Sequence, residues 1–135
     1  MSILIKSAKI IDASSKFNGK TKDIFIKQGI IQEIDDKIVK KSAKEINLDN
    51  LHISQGWLDS SVCFGEPGLE ERETIENGSL TACLSGFTDI ILNSNTLPVI
   101  DSKADVIYVK SKNNNKALKI HPLGALTLKL SLIHI

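Results

Sequence analysis

The stretch "GWLDSSVCFGEPGLEERETIENG", Gly56 to Gly78, gathers the side chains most able to do chemistry. Asp59 comes late in a strand-like run, Ser61 and Cys63 follow at alternate positions, and a Gly/Pro loop leads into a helix. A cysteine binds zinc as the thiolate, and a single thiolate without a neighbouring ligand makes a weak site. The ordinary role for Cys63 is that of a small buried thiol. Glu66 and the acidic "EERE" run, Glu70 to Glu73, raise the idea of paired carboxylates for acid–base work. Acidic residues near a helix N-terminus more simply complement its dipole and stay solvated. Asn95, in "NSNT" after the next apolar run, is a turn former by type. His52, His121 and His134 lie far apart in the chain and are expected on strands or the surface rather than as metal ligands. No Gly-rich phosphate loop, nucleophile elbow or paired-cysteine zinc motif occurs.

The elements that must position these residues follow two patterns. From Ile3 to about Ile53 the sequence predicts short strands in a small antiparallel sheet. "ILIKSAKII" and "DIFIKQGIIQEI" are rich in isoleucine, and Lys27 to Gly29 splits the second into a hairpin. "KEINLDNLHI" predicts a strand-turn-strand with Asp49 and Asn50 at the bend, and "KIVKK", Lys37 to Lys41, a solvated edge or loop. After Gln55 the pattern becomes strand, helix, strand, helix, strand. "GWLDSSVCF" is the first strand. A helix is expected over about 74–85, with Gly86 at its C-terminal cap and Ile75, Ser79, Ala82 and Cys83 on its inner face. "FTDIILNS" is predicted to be a fully buried strand. "KADVIYVKSKN" predicts a helix capped by Asp101 or Ser102, with Ala104, Ile107, Tyr108 and Ser111 aligned. "ALKIHPLGAL" supplies the third strand. Such alternation implies parallel βα units.

Bulk properties exclude several classes. The chain has 135 residues, 41% hydrophobic and 24% charged, within the range of soluble globular proteins. Seventeen basic against sixteen acidic residues leave a net charge of +1, so neither nucleic acid nor an anionic membrane is indicated as a partner. No apolar run approaches the ~20 residues of a membrane span. The N-terminus carries no signal-peptide pattern. Cys63 and Cys83 are expected to be free thiols, which favours a reducing, cytoplasmic setting. Three parallel strands with two helices do not complete a (β/α)8 barrel, which needs ~250 residues. Together with the tail "LKLSLIHI", which has no cap or turn to finish a unit, this predicts a piece of a longer protein.

Several segments taken together resemble the N-terminal part of dihydroorotase, in the cyclic amidohydrolase family with allantoinase and dihydropyrimidinase. They are "DIFIKQGIIQEI", "GWLD", "FGEPGLEERETIENGSLTACLSGFTDI", "NSNTLPVIDSKADVIYVKSK" and "HPLGALT". The likeness runs from the hairpin near Asp23 to about Lys129. It implies an α/β architecture in two parts. Residues 1–53 would form the N-terminal portion of a composite β-sandwich. Residues 54–135 would form the first three strands of a metal-dependent (β/α)8 barrel. The implied reaction is reversible cyclic amide hydrolysis between dihydroorotate and carbamoyl-aspartate in pyrimidine biosynthesis. Zinc would activate water and polarise the amide carbonyl.

The resemblance also marks losses. The family's first barrel strand runs aspartate, histidine, histidine, arginine at alternate positions. The histidines bind metal and the arginine holds the substrate carboxylate through a bidentate fork. Asp59 keeps the aspartate position, but Ser61 and Cys63 stand at the ligand positions and Gly65 at that of the arginine. Asn95 retains the implied substrate-binding position. The expectation is a chain without a catalytic residue or zinc site of its own, and hence inactive. The alternatives are a non-catalytic structural partner of aspartate transcarbamoylase, a homo-oligomer, another relative of the allantoinase or dihydropyrimidinase type, and a generic small α/β binding domain.

Overall fold

The computed structural model describes residues 1–127. The tail "LKLSLIHI" and its His134, singled out above, lie outside the described residues. Two compact units meet between Gln55 and Gly56.

The first unit is a sheet of five strands: β1 (Ser2–Ile11), β2 (Thr21–Lys27), β3 (Ile30–Asp35), β4 (Lys44–Asn47) and β5 (His52–Ser54). The path runs β3-β2-β1-β4, with β5 also paired to β1. The β2–β3 hairpin turns at Gln28 and Gly29, whose φ values of 53° and 77° are the pair of left-handed conformations a tight hairpin requires. The expectation of a purely antiparallel sheet is corrected. β1 pairs antiparallel with β2 but parallel with both β4 and β5. The bend around Asn50 does not fold β5 back on β4. It lets the chain pass from Ile3–Lys6 of β1 to Lys9–Ile11 along the same edge.

The core of this unit comprises Leu4, Ala8, Ile10, Ile24 and Ile38. Among them sits Asp23, 2% exposed. Its carboxylate accepts from the Ser7 and Ile38 amides, each at 2.9 Å, and from Lys6 Nζ. Ser7 has φ 51° and sits where the β1–β2 register shifts, so Asp23 clamps an irregularity in the sheet.

The second unit runs β6 (Trp57–Val62), α1 (Ile75–Leu84), β7 (Phe87–Leu92), α2 (Lys103–Lys112) and β8 (Lys119–Pro122), with a three-stranded parallel sheet in the order β6-β7-β8. Phe64, Ile75, Ile90, Leu92, Ile100, Val109, Leu118 and Ile120 form its core. Thr74 caps α1 by accepting from the Asn77 amide, and Gly86, with φ 94°, follows the C-cap Ser85. α1 buries Ile75, Gly78 and Ser79. Gly78 lets α1 pack closely, because a Cβ there would stand 2.4 Å from the Phe64 ring.

Two expectations change here. β7 is not buried throughout: Ile90 and Leu92 are enclosed, whereas Asp89 and Ile91 are partly exposed, since core packing covers only one face. α2 starts with a capping box between Ser102 and Asp105, but its buried contact is Val109 with Val106 beside it, not the Ala104–Ile107–Tyr108–Ser111 stripe. Ile107 is exposed, and Tyr108 turns towards Glu66.

Candidate functional site

The polar side chains gather where β6 and β7 end, the end of a parallel sheet at which ligands bind in open α/β folds. Asp59 pairs with Ile90 and Val62 with Leu92, so β6 spends three steps where β7 spends two. This bulge is tied by Asp59 Oδ1, which accepts from the Ser61 amide at 3.0 Å. Asp59 also lines a cavity of about 380 Å³ against α1, with Phe64, Ala82 and Ile90 among the walls. Beyond the bulge, Ser61 and Cys63 share a neighbour. Asn93 Nδ2 donates to Ser61 Oγ at 3.1 Å and to Cys63 Sγ at 3.3 Å. Cys63 Sγ donates onward to Asn95 Oδ1 at 3.4 Å.

Ser61, Cys63 and Asn95, separated by up to 34 positions in the chain, therefore form one hydrogen-bonded cluster, completed by Asn93. Sequence reasoning missed Asn93. Its available signal was the repeat of asparagine two residues apart at a strand end, which puts both side chains on one side. Cys63 is exposed, contrary to the small buried thiol expected from its type, and Cys83 is partly buried; both are free.

The loop after Phe64 is built on glycine. Gly65 has φ 110°, and a Cβ there would stand 2.5 Å from the Leu69 carbonyl oxygen. Gly68 has φ 92°, and its Cβ would fall 1.6 Å from the Leu97 carbonyl oxygen. Leu97 N donates to Pro67 O at 2.9 Å, which locks this loop to the one carrying Asn95. Gly65 thus accepts no side chain in this conformation.

The acidic residues of the loop serve the backbone. Glu66 is 7% exposed, correcting the expectation that it stays solvated. Its Oε2 accepts from the Ile75 amide at the start of α1 at 2.8 Å, and its Oε1 accepts from Tyr108 Oη and Lys112 Nζ, each at 3.4 Å. The hydrogen bond to Tyr108, and then that to Glu66, raise the Lys112 ammonium above its ordinary range. Glu70 accepts from the Gly68 amide, and Glu73 from the Thr74 amide and Asn77 Nδ2.

The described histidines stand apart from this cluster. His52, in the first unit, contacts the Asn50 carbonyl through Nδ1 at 2.8 Å. His121 Nε2 lies 2.8 Å from Asp89 Oδ1, and Thr88 Oγ1 donates to Asp89 Oδ2 at 3.0 Å. The His121 contact, followed by that of Thr88, holds the Asp89 carboxyl below the ordinary aspartate range.

These residues do not fit a zinc ion. A serine hydroxyl is a poor ligand, the lone thiol is engaged by two carboxamides, and no group of three or more His, Cys, Asp or Glu side chains among the described residues could hold a metal. What the arrangement offers instead is hydrogen bonding from neutral groups, with Asn93 Oδ1 and Asn95 Nδ2 making no hydrogen bond among the described residues. No helix among the described residues is long and apolar enough to cross a membrane.

The fold of a β-sheet unit followed by parallel βα units is that of the N-terminal part of the cyclic amidohydrolases. The L-hydantoinase (dihydropyrimidinase) of Arthrobacter aurescens matches with a TM-score of 0.77 and 19% identity, covering 91% of this chain and 27% of its own. No family model matches the chain.

Sequence narrows the kinship further. The dihydroorotase of Clostridium botulinum is 39% identical over 113 residues, covering 84% of this chain and 28% of that protein. The dihydroorotase of Caldanaerobacter subterraneus is 38% identical over 129 residues, covering 94% and 29%. The chain is dihydroorotase-like, similar to these proteins over most of its own length, and it spans less than a third of the length of these curated relatives.

Proposed function

We propose that the chain is a dihydroorotase-like protein whose first-strand metal positions have been given over to hydrogen bonding, and that by itself it does not hydrolyse cyclic amides. In this reading residues 1–53 are the N-terminal part of a composite β-sandwich, and residues 54–135 open a (β/α)8 barrel. The supporting observation is the cluster itself. Ser61 and Cys63 are held by Asn93 and Asn95, and Gly65 is closed to an arginine. Hydrolysis of an amide needs an activated water and a polarised carbonyl. A neutral hydroxyl and thiol between two carboxamides provide neither. They remain suited to holding a ring amide through its N–H and C=O groups. Incubating the purified chain with dihydroorotate and following carbamoyl-aspartate tests this. No turnover above the uncatalysed rate is expected. Turnover that vanishes with Cys63→Ala would overturn it.

A second reading, a non-catalytic partner of aspartate transcarbamoylase or of another copy of the chain, is favoured by one observation. Leu80 and Leu84, four residues apart on α1, are 51% and 80% exposed. Such an apolar pair on one helix face suits a protein contact. Co-purification with the transcarbamoylase from the native source tests it, and a protein that purifies alone and monomeric would count against it.

A further inference from the structure

We propose that the cavity between β6 and α1 is a binding site for a small apolar ammonium, a ligand distinct from the cyclic amides of the proposed function. The cavity has a volume of about 380 Å³, within the range of small-molecule pockets. Its walls are apolar and aromatic: Val62 and Phe64 at and beyond the end of β6, Ala82 on α1, and Phe87 and Ile90 on β7. It lies on the helix side of the sheet, where Phe64, Ile75 and Ile90 join the core. Of the cluster at the strand ends, Cys63 lines this cavity, whereas Ser61, Asn93 and Asn95 do not.

Charge selects the ligand. Asp59 and Glu73 both line the cavity and both are partly buried, while no lysine, arginine or histidine among the described residues lines it. Neither carboxylate forms an ion pair among the described residues. Each spends one oxygen within the protein. Asp59 Oδ1 accepts from the Ser61 amide, and Glu73 Oε1 accepts from the Thr74 amide and Asn77 Nδ2. Asp59 Oδ2 and Glu73 Oε2 make no hydrogen bond among the described residues. Carboxylates beside apolar walls lose part of their hydration, and a cation that reaches them compensates with charge-assisted hydrogen bonds. Aromatic faces such as those of Phe64 and Phe87 favour the same sign of charge. An anionic ligand would meet two like charges, and a neutral one would leave both unpaired. The ligand class is a primary ammonium on a small aromatic or branched aliphatic body.

Titration of the 135-residue chain with benzylamine, followed by NMR chemical shifts, tests the assignment, with benzyl alcohol and benzoate as neutral and anionic forms of the same body. Benzylamine should saturate with a Kd on the order of 1 mM and shift the resonances of Phe64, Ala82 and Phe87. Benzyl alcohol should bind about tenfold more weakly, and benzoate more weakly still. Glu73→Gln and Asp59→Asn keep the oxygens that accept from the backbone, so both variants should match the circular dichroism of wild type. Each should weaken benzylamine binding about fivefold or more and leave benzyl alcohol binding unchanged. Equal binding of benzylamine and benzyl alcohol by wild type, or a benzylamine affinity that survives both substitutions, would overturn the ammonium site. An absence of shifts at Phe64, Ala82 and Phe87 would overturn the cavity as a binding site altogether.

Discussion

The Cys63 thiol donates to Asn95 Oδ1 across 3.4 Å, joining the loops that follow β6 and β7. The sulfur enters that bond with its proton and accepts a second bond from Asn93, so its polar capacity is used within the protein. Because Cys63 is exposed, these bonds compete with water. Cys63→Ala is therefore expected to leave the thermal unfolding midpoint close to wild type. A large loss of stability would show that the thiol carries structural weight the cluster does not account for.

Gly65 is closed to a side chain by its backbone conformation and by the Leu69 carbonyl. Gly65→Arg places a side chain at φ 110° with its Cβ against the Leu69 carbonyl. The loop must rearrange at a cost of about 1–3 kcal/mol. Chemical denaturation should show that loss, and the variant should gain no affinity for dihydroorotate. A variant as stable as wild type with tighter binding would mean that the loop adapts freely.

Gly78 yields a prediction opposite to helix propensity. Alanine in a helix interior is favoured over glycine by about 1 kcal/mol. Here the added methyl would meet the Phe64 ring at 2.4 Å. Overpacking of that kind costs about 1–3 kcal/mol, so Gly78→Ala should be neutral to destabilising, by up to about 2 kcal/mol net. A gain in stability on urea unfolding would contradict the close packing of α1 on Phe64.

Asp23 sets a pH dependence in the first unit. Burial opposes its ionisation, but the Lys6 hydrogen bond and the amides of Ile38 and Ser7 outweigh that and hold the carboxyl below the ordinary aspartate range. A depressed folded value means the stabilisation is fully present above the unfolded aspartate value, about 3.9, and is lost as pH falls through the lower folded value. Asp23→Asn removes the charge and should cost about 2–4 kcal/mol at neutral pH. It should also flatten the loss of stability as pH falls below about 4. An unchanged acid limb would remove Asp23 from the account.

Much of the frame was legible in the sequence because it rests on local signals. Thr74 and Gly86 bracket α1, Gly29 turns the hairpin, and apolar runs mark the parallel strands. The parallel pairing of β4 and β5 was not legible, because both strands find their partner in β1 some forty residues away while the bend between them looks like a hairpin. The inner face of α2 escaped for a different reason. Only Val109 is buried, so the 3.6-residue period has too few apolar positions to fix a phase. Glu66 looked like a solvated helix-end acid because nothing local predicts that Tyr108 and Lys112 close over it. The candidate site was half visible. Ser61, Cys63, Gly65 and Asn95 stood out by comparison with a motif, whereas the part played by Asn93 exists only once the strands and loop are folded.

Ser61 and Cys63 spend their polar atoms on hydrogen bonds to Asn93 and Asn95, and in the proposed function these stand in place of metal ligation. Zinc titration of the metal-free chain, with bound metal measured per chain, tests this most directly. Wild type is expected to retain no stoichiometric zinc after gel filtration, and Cys63→Ala to behave identically. One tightly held zinc per chain, lost on Cys63→Ala, would contradict the account.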